Sequence, residues 1–358
     1  MTSVSHSRMI GEQTAKMTTL FPLHTPSARP TTRGVAGLVR SGGVAALSQA
    51  ERLADDATYQ EVDCRSALNR VLGMPFQWTL NPYRGCTHAC HYCFARRYHT
   101  QLELNAGDEF SSVILVKRNF VEVLAQELDR PGWSRQQVAL GTATDPYQPI
   151  EGRYRLTRRT LEALTVGRTP VGLVTKGPMI VRDRDVLLEL SRVASCTVYM
   201  SVPTVDDDAW RALEPGTAHP LQRLRAVREL ADAGLSVGVL MAPIVPGFSS
   251  SRSKLERTLK TIADHGARFV GCNVMYLQDG TRTHFMQFLE REFPAMRPRF
   301  ETLYARKHPP DTYTRELKAM VRVLQDRYGL GQRPSEEPEL GAEAGEQPAP
   351  EQVGFRWE

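Results

Sequence analysis

The sequence predicts an α/β fold, an incomplete (β/α)6 TIM-type barrel with disordered N- and C-terminal tails. Short apolar runs alternate with helical patterns through the middle of the chain, which is typical of parallel β/α units. Six such units can be counted, too few for a closed eight-stranded barrel. A chain of 358 residues with 41% hydrophobic residues is long enough for one such domain.

Each predicted strand is an apolar run that leads into polar, glycine or proline residues. The six strands are expected at residues 78–83, 137–142, 171–175, 197–202, 236–242 and 268–275. Helices are expected from about residue 92, at 119–129, 157–165 and 183–193, after residue 206, at 220–233 and near 283–292. The active site of such a barrel lies on the loops that follow the strands.

Four segments are predicted along the chain. Residues 1–57 form a mostly disordered N-terminal segment, 58–292 the barrel, 293–332 a C-terminal helical extension and 333–358 a disordered acidic tail. The extension has an amphipathic pattern at 315–327, which suits either a cap on the barrel bottom or a cover for its open side. The tail holds seven acids against two arginines.

Charge and composition limit the function classes. The net charge of +5 includes the acidic tail, so the remaining body is strongly basic. A basic body attracts nucleic acid, although an arginine-rich solvated surface explains the same composition. No apolar run is long enough for a membrane span, and no signal peptide is recognisable. Six cysteines in a chain of this length do not indicate a disulfide scaffold.

Three of the cysteines carry the main chemical information. Cys86, Cys90 and Cys93 follow the first predicted strand with C-x3-C-x2-C spacing. A structural zinc site needs four ligands, whereas a 4Fe-4S cluster held by three cysteines keeps one iron open. Zinc with a histidine as fourth ligand remains an alternative, as does simple burial of small apolar residues. The candidate fourth ligands are His88, His91 and His99.

The loop resembles that of the radical S-adenosylmethionine (SAM) enzymes, with an aromatic residue, Tyr92, before the third cysteine. Within that superfamily it is most similar to the spore photoproduct lyase-like branch, whose loop also reads Cys-His-Tyr-Cys. The likeness spans about residues 75–290. It includes 141–151 (Gly-Thr-Ala-Thr-Asp-Pro-Tyr-Gln-Pro-Ile-Glu), 175–176 (Thr-Lys), 201–204 (Ser-Val-Pro-Thr), 214–215 (Glu-Pro) and 242–247 (Ala-Pro-Ile-Val-Pro-Gly).

The resemblance implies an enzyme with a 4Fe-4S cluster on the three cysteines and SAM at the open iron. In the family, the reduced cluster cleaves SAM, and the resulting 5′-deoxyadenosyl radical removes a hydrogen atom from the substrate. An electron donor of the flavodoxin or ferredoxin type and a cytoplasmic location follow from this chemistry. The substrate is unidentified, with nucleic acid favoured by the lyase likeness and the basic body. The alternative function is a zinc-stabilised nucleic-acid-binding module without catalysis.

The resemblance also assigns candidate site residues. Gly141, Thr142, Thr144, Lys176, Ser201, Arg223 and Asn273 are candidates for binding SAM. Tyr92, Asp145 and Glu151 are candidates for the reaction cavity. For the last two, turn formation beside the prolines of this loop is the alternative role. The alternative role for Lys176 is that of a surface lysine, and the alternative for Asn273 is that of a structural asparagine.

Two departures separate this chain from the lyases. The lyases have a cysteine hydrogen donor where this chain has Thr142, and a tyrosine after the third cysteine where it has Phe94. An O–H bond is too strong to replace a thiol as hydrogen donor. A substrate other than the thymine photoproduct is therefore expected.

Overall fold

The computed structural model describes residues 53–74, 76–102 and 107–331. The predicted acidic tail and most of the predicted N-terminal segment lie outside these residues. Ten strands are present in the described part of the chain. They are β1 (Thr58–Val62), β2 (Asn69–Arg70), β3 (Trp78–Leu80), β4 (Tyr83–Arg84), β5 (Val113–Lys117), β6 (Val138–Leu140), β7 (Val171–Thr175), β8 (Cys196–Ser201), β9 (Ser236–Ile244) and β10 (Val270–Val274).

The main sheet confirms the incomplete barrel of six parallel strands. Its order is β10-β9-β8-β7-β6-β3-β2, so successive strands of the barrel are neighbours. All pairs from β3 to β10 are parallel, and β2 adds an antiparallel strand beside β3. Because consecutive parallel strands run in one direction, their carboxyl ends lie along one edge, and the loops after them converge there.

Helices connect the strands and cover the outside of the sheet. They are α1 (Glu109–Ser112), α2 (Phe120–Leu128), α3 (Glu151–Tyr154), α4 (Leu156–Val166), α5 (Arg184–Val193), α6 (Asp207–Leu213), α7 (Pro220–Asp232), α8 (Arg252–Ala263), α9 (Asp279–Glu292), α10 (Arg297–Leu303) and α11 (Asp311–Arg327). Three short 3₁₀ helices span Phe94–Leu102, Pro178–Asp183 and Pro294–Met296. None of the described helices is long and apolar enough to cross a membrane.

The C-terminal helix α11 covers the free edge of the sheet at the start of β10. Gln325 donates a side-chain hydrogen bond to the Val270 carbonyl (2.8 Å), and the Val270 amide donates to the Gly331 carbonyl (3.0 Å). Val321 and Leu324 are buried. Of the two roles open to this helix, covering the side of the barrel is the one that the contacts support, since an unpaired strand edge needs a cover.

The structure differs from the predicted elements at the first strand. That strand ends at Leu80, because Asn81 and Pro82 turn the chain, and residues 83–84 pair antiparallel with β5 instead. β1, β5 and β4 form a second, small sheet that was not predicted, and α8 was also missed. The helix expected from about residue 92 is a 3₁₀ helix that begins at Phe94.

Candidate active site

The cysteine loop, residues 85–93, begins at a glycine that no other residue can replace without strain. Gly85 has φ 82°, and a Cβ there would lie 2.5 Å from the Val113 carbonyl oxygen. The loop then folds back onto the sheet, so that Cys86 and Cys90 are buried and Cys93 is half-buried. Their side chains are therefore shielded from bulk water at the carboxyl edge of the barrel.

The loop after β6 holds the first half of the cysteine loop. Thr144 donates from its hydroxyl to the Gly85 carbonyl (2.5 Å), and the Gln148 side chain donates to the same oxygen (3.3 Å). The Thr87 amide donates in turn to the Gln148 side-chain oxygen (3.2 Å). Thr144, predicted to bind a cofactor, thus supports the cysteine loop, and the buried Gln148 side chain supports the same loop.

The segment after α6 holds the second half. The His91 amide donates to the Leu213 carbonyl (3.0 Å), and the Gly216 amide donates to the His88 carbonyl (3.1 Å). A Cβ on Gly216 would meet the Thr87 carbonyl oxygen at 2.1 Å, so only glycine permits this approach. The cysteine loop is consequently clamped between the loops that follow β6 and β8.

Helix α9 closes over the same loop. Thr281 donates from its hydroxyl to the Cys93 carbonyl (3.1 Å), and the His91 and His284 rings share a hydrogen bond of 3.0 Å. The His91 ring also stacks on Phe288, with ring centroids 4.0 Å apart. Burial lowers the pKa of His91 to about 2 and that of His284 to about 3, so both rings are neutral and able to share one hydrogen.

A buried arginine lies beneath the cysteines and was not identified from the sequence. Arg96 is 1% exposed and donates to the carbonyls of Cys90 (3.1 Å) and Ala89 (3.0 Å). Its positive charge lowers the pKa of Cys93 against the larger raising effect of burial. Burial also raises the pKa of Cys90 to about 12 and that of Cys86 well above its usual value. The thiols therefore stay protonated until a metal displaces their protons.

A charged cluster at the ends of β7 and β8 adjoins the cysteine loop. Lys176 Nζ lies 2.9 Å from Glu214 Oε1 and donates to the Ser201 hydroxyl (2.6 Å). Arg223 Nη2 lies 2.6 Å from Glu214 Oε2. The Tyr92 hydroxyl donates to the Glu214 carboxylate as well. Three predicted site residues therefore meet at one carboxylate, Glu214, and a fourth, Ser201, joins them through Lys176.

Glu214 itself had no predicted role, although its Glu-Pro pair belongs to the stretch that resembles the lyases. Burial alone would raise the pKa of this carboxyl, yet Arg223 and Lys176 lower it to about 2. With two cations and one anion, the cluster has an excess of one positive charge. A buried excess charge favours binding of a single carboxylate next to Lys176.

Arg223 is less accessible than the prediction assumed. Its side chain is 0% exposed and donates to the carbonyls of Ser201 and Ala218 (both 2.9 Å) and to the Thr217 hydroxyl (2.5 Å). The Arg223 guanidinium is therefore out of reach of a ligand. Lys176, with 13% side-chain exposure, is the better-placed cation for a ligand. Because its ammonium is bound within this cluster, Lys176 is not the surface lysine of the alternative interpretation.

Asp145 is buried and its oxygens are occupied by neighbouring donors. It accepts from the Thr175 hydroxyl (2.6 Å) and from the amides of Lys176 (2.6 Å) and Tyr147 (2.9 Å). His88 Nδ1 lies 3.3 Å away. These contacts give Asp145 the turn-forming role and place the backbone of Lys176.

Glu151 lies in a separate buried network. Its carboxylate accepts from the Tyr83 hydroxyl (2.5 Å), the Thr157 amide (3.0 Å) and Arg182 (3.1 Å). The Thr157 contact lies at the start of α4, so the carboxylate acts as an N-terminal cap for this helix. These contacts are structural, and none of them is directed at the cysteines.

Three further predicted residues lie at strand ends. Gly141 follows β6 with φ 92°, and a Cβ there would lie 2.4 Å from the Val174 carbonyl oxygen. Thr142 accepts from the Asn81 side chain (3.3 Å), and Asn273 is half-buried at an irregularity where β10 shifts its register against β9. Bulges of this kind redirect side chains near active sites.

The donor set fits a cluster with an open iron. The loop supplies three thiols, of which those of Cys86 and Cys90 are buried and that of Cys93 is half-buried. Among the described residues, no three His, Cys, Asp or Glu side chains form a group that could hold a single metal ion. Three cysteine ligands are the number that leaves one iron of a 4Fe-4S cluster open, whereas a structural zinc site needs four ligands.

Comparison with known proteins agrees with this geometry. The model of the radical SAM superfamily matches residues 80–262. An uncharacterized protein of Mycobacterium tuberculosis is 40% identical over 280 residues, which cover 77% of this chain and 82% of that protein. A radical SAM Nα-GlyT isomerase of Pseudomonas phage M6 is 26% identical over 170 residues, 47% of this chain and 33% of the isomerase.

The fold is shared with a solved lyase. The structure of a spore photoproduct lyase mutant with bound AdoMet and dinucleoside spore photoproduct superimposes with a TM-score of 0.61 at 17% sequence identity. The match covers 79% of this chain and 83% of the lyase. From its cysteine loop, its six-stranded partial barrel and the family match, this chain belongs to the radical SAM superfamily and is a radical SAM enzyme.

Proposed function

We propose that this protein binds a 4Fe-4S cluster through Cys86, Cys90 and Cys93, binds SAM beside it, and abstracts hydrogen from a nucleic-acid substrate. The observation that carries the proposal is the meeting of three cysteine thiols with the excess positive charge of the Lys176 cluster at one barrel edge. The bound cluster and SAM together supply the 5′-deoxyadenosyl radical.

The protein's own groups account for binding and orientation. Lys176 offers its ammonium to the carboxylate of SAM, with Ser201 as a second polar contact. Tyr92, fixed by Glu214, presents its ring toward Lys176, whose Nζ lies 5.7 Å from the ring centroid. Gly141, the backbone of residues 142–144 and Asn273 are proposed to complete the SAM site. The buried position of the loop limits water near the reacting groups.

A nucleic-acid substrate is supported by the similar proteins and by charge. The solved lyase holds a dinucleoside photoproduct, and the basic body of this chain favours phosphate contacts. Thr142 in place of the lyase cysteine favours a reaction on a different lesion or modification. A flavodoxin- or ferredoxin-type electron donor and a cytoplasmic location are part of the proposal, since reduced clusters need both an electron source and a reducing environment.

Electron paramagnetic resonance of the anaerobically purified, dithionite-reduced protein tests the cofactor assignment. We expect a reduced-cluster signal that changes on addition of SAM, and release of 5′-deoxyadenosine. Cys93→Ala should abolish the signal, whereas Cys272→Ala, a half-buried cysteine on β10, should keep it. Stoichiometric zinc without sulfide after reconstitution would instead support the non-catalytic zinc module.

A further inference from the structure

A group of aromatic and basic side chains lies beside the third cysteine and has no role in the proposed cofactor site. It is called here the mouth surface. It consists of Phe94, Arg97, Tyr98, Tyr276, Lys307 and His308. Three of these residues follow Cys93 in the 3₁₀ helix, one follows β10, and two come from the loop between α10 and α11.

The first half of the mouth surface is built on the cysteine loop. Phe94 is 37% exposed, and its ring meets Tyr98 edge-on, with centroids 6.4 Å apart. The Arg97 guanidinium lies over the Tyr98 ring, 4.9 Å from its centroid, and donates to the Tyr98 hydroxyl (3.0 Å). A cation is thus held against an aromatic face directly after the third cysteine.

The second half has the same construction. Lys307 Nζ lies 5.3 Å from the centroid of the Tyr276 ring, and the His308 ring lies 5.5 Å from Tyr276 at an angle of 41°. The Leu277 amide donates to the Lys307 carbonyl (2.9 Å), which fixes this loop against the end of β10. Lys307 and His308 are exposed, and no ion pair joins Lys307 to a carboxylate within the described ranges.

The two halves adjoin each other at the cysteine. Helix α9 begins at Asp279, three residues after Tyr276, and its Thr281 hydroxyl donates to the Cys93 carbonyl (3.1 Å). Cys93 directly precedes the 3₁₀ helix that carries the first half. Both halves also stand at the carboxyl edge of the barrel, after β3 and after β10, where the substrate of such a barrel enters.

Alternating aromatic faces and cations fit an opened nucleic-acid strand. Rings stack on unpaired bases, while lysine and arginine pair with the flanking phosphates. A paired duplex hides its base faces and gives such rings no partner. An acidic peptide would engage the cations but would leave the aromatic faces unused.

We propose that the mouth surface binds a single-stranded or locally opened nucleic-acid segment and presents one nucleotide to the reaction cavity. The inference rests on the proposed function, because it assigns the substrate contacts of that same site. It names Tyr276 as a base-stacking residue and Lys307 as a phosphate contact.

Binding of a fluorescein-labelled oligothymidine to the cluster-loaded protein, followed by fluorescence anisotropy, tests the proposal. We expect tighter binding of the single strand than of a duplex of the same length. Tyr276→Leu should weaken binding about tenfold or more, whereas Tyr276→Phe, which keeps the ring, should bind as the wild type does. Lys307→Ala should lower the salt slope of log affinity by about 0.7, as expected for one lost phosphate contact.

Controls separate this proposal from the proposed function. Arg225→Ala, which removes an exposed arginine from the outer helix α7, should leave both affinity and salt slope unchanged. SAM-dependent change of the cluster signal reports on the cofactor site independently of nucleic acid. Two outcomes would overturn the mouth-surface proposal alone, provided that the cluster signal is intact. One is unchanged affinity in Tyr276→Leu and Lys307→Ala, and the other is that polyglutamate displaces the labelled strand as well as unlabelled oligothymidine does. Loss of the signal in the wild type would overturn the cofactor assignment.

Discussion

Lys176 and Glu214 form a buried ion pair, with 2.9 Å between Nζ and Oε1, that joins the end of β7 to the segment after α6. The same carboxylate also binds Arg223 and accepts from Tyr92. Since Tyr92 lies between Cys90 and Cys93, the pair connects the cysteine loop to the cation proposed to bind SAM. Glu214 therefore fixes the position of the cysteine loop relative to Lys176.

Replacing Glu214 by Gln should destabilise the fold. Gln keeps the shape of the side chain but leaves Lys176 and Arg223 buried without a compensating charge, which costs about 3–5 kcal/mol. Urea unfolding measures the change in free energy. Glu256→Gln is the matched control, since it removes the partner of Arg327 in an exposed pair (2.7 Å) and should cost about 1 kcal/mol or less. Equal losses in the two variants would contradict the central role of Glu214.

Replacing Lys176 by Met should weaken SAM binding while keeping the cluster. One charge-assisted hydrogen bond is worth about 1.5–3 kcal/mol, which corresponds to roughly a tenfold to hundredfold loss of affinity. The change is measured as the SAM concentration needed to alter the reduced-cluster signal. Lys254→Met, which removes the partner of Asp206 (3.0 Å) away from the cysteines, is the control. An unchanged SAM concentration in Lys176→Met would remove this residue from the SAM site.

The sequence predicted the barrel well where apolar runs are continuous. β7 was predicted with its observed bounds and β8 with a shift of one residue, because short runs with β-branched residues, followed closely by Gly177 or Pro203, favour strands over helices. β1 was missed because it carries exposed Thr and Glu residues and its pairing with β5 is set by tertiary contact. β5 was missed although it is an apolar run whose Ile114 and Val116 are fully buried.

Local sequence identified the cysteines and Lys176 as candidates, but it did not identify the residues that support them. The spacing of the cysteines identifies the chemistry from local sequence alone, and Lys176 follows a clear strand. Glu214 and Arg96 needed long-range information, because Glu214 meets Tyr92 across 122 positions and a buried arginine looks like a surface residue in sequence. Asp145 and Glu151 were predicted to face the reaction cavity at the barrel mouth. In the structure, their carboxylates accept hydrogen bonds from backbone amides and buried side chains.

Acidification should destabilise the protein through the buried histidine pair. Burial lowers the pKa of His284 to about 3 and that of His91 to about 2, so below about pH 6.5 the unfolded chain binds protons that the folded one does not. The contribution of the two neutral histidines to the free energy of unfolding is complete above the pKa of histidine in the unfolded chain. It decreases as the pH falls, by up to about 1.4 kcal/mol per pH unit for each histidine. Urea midpoints between about pH 7 and pH 5 should fall less steeply in His284→Phe than in the wild type. Parallel slopes would show that the pair does not titrate with unfolding.

Replacing Gly216 by Ala should displace the cysteine loop. The added methyl group would meet the Thr87 carbonyl oxygen at 2.1 Å and the His88 backbone carbon at 2.9 Å, and backbone atoms cannot move aside without shifting the loop itself. Because Cys86 directly precedes Thr87, we expect a lower iron content per protein after reconstitution and a lower thermal midpoint. Gly132→Ala is the control, since nothing lies within 4 Å of a Cβ at that position. If Gly216→Ala took up iron like the wild type, contact between the segment after α6 and the cysteine loop would not be needed to form the cluster site.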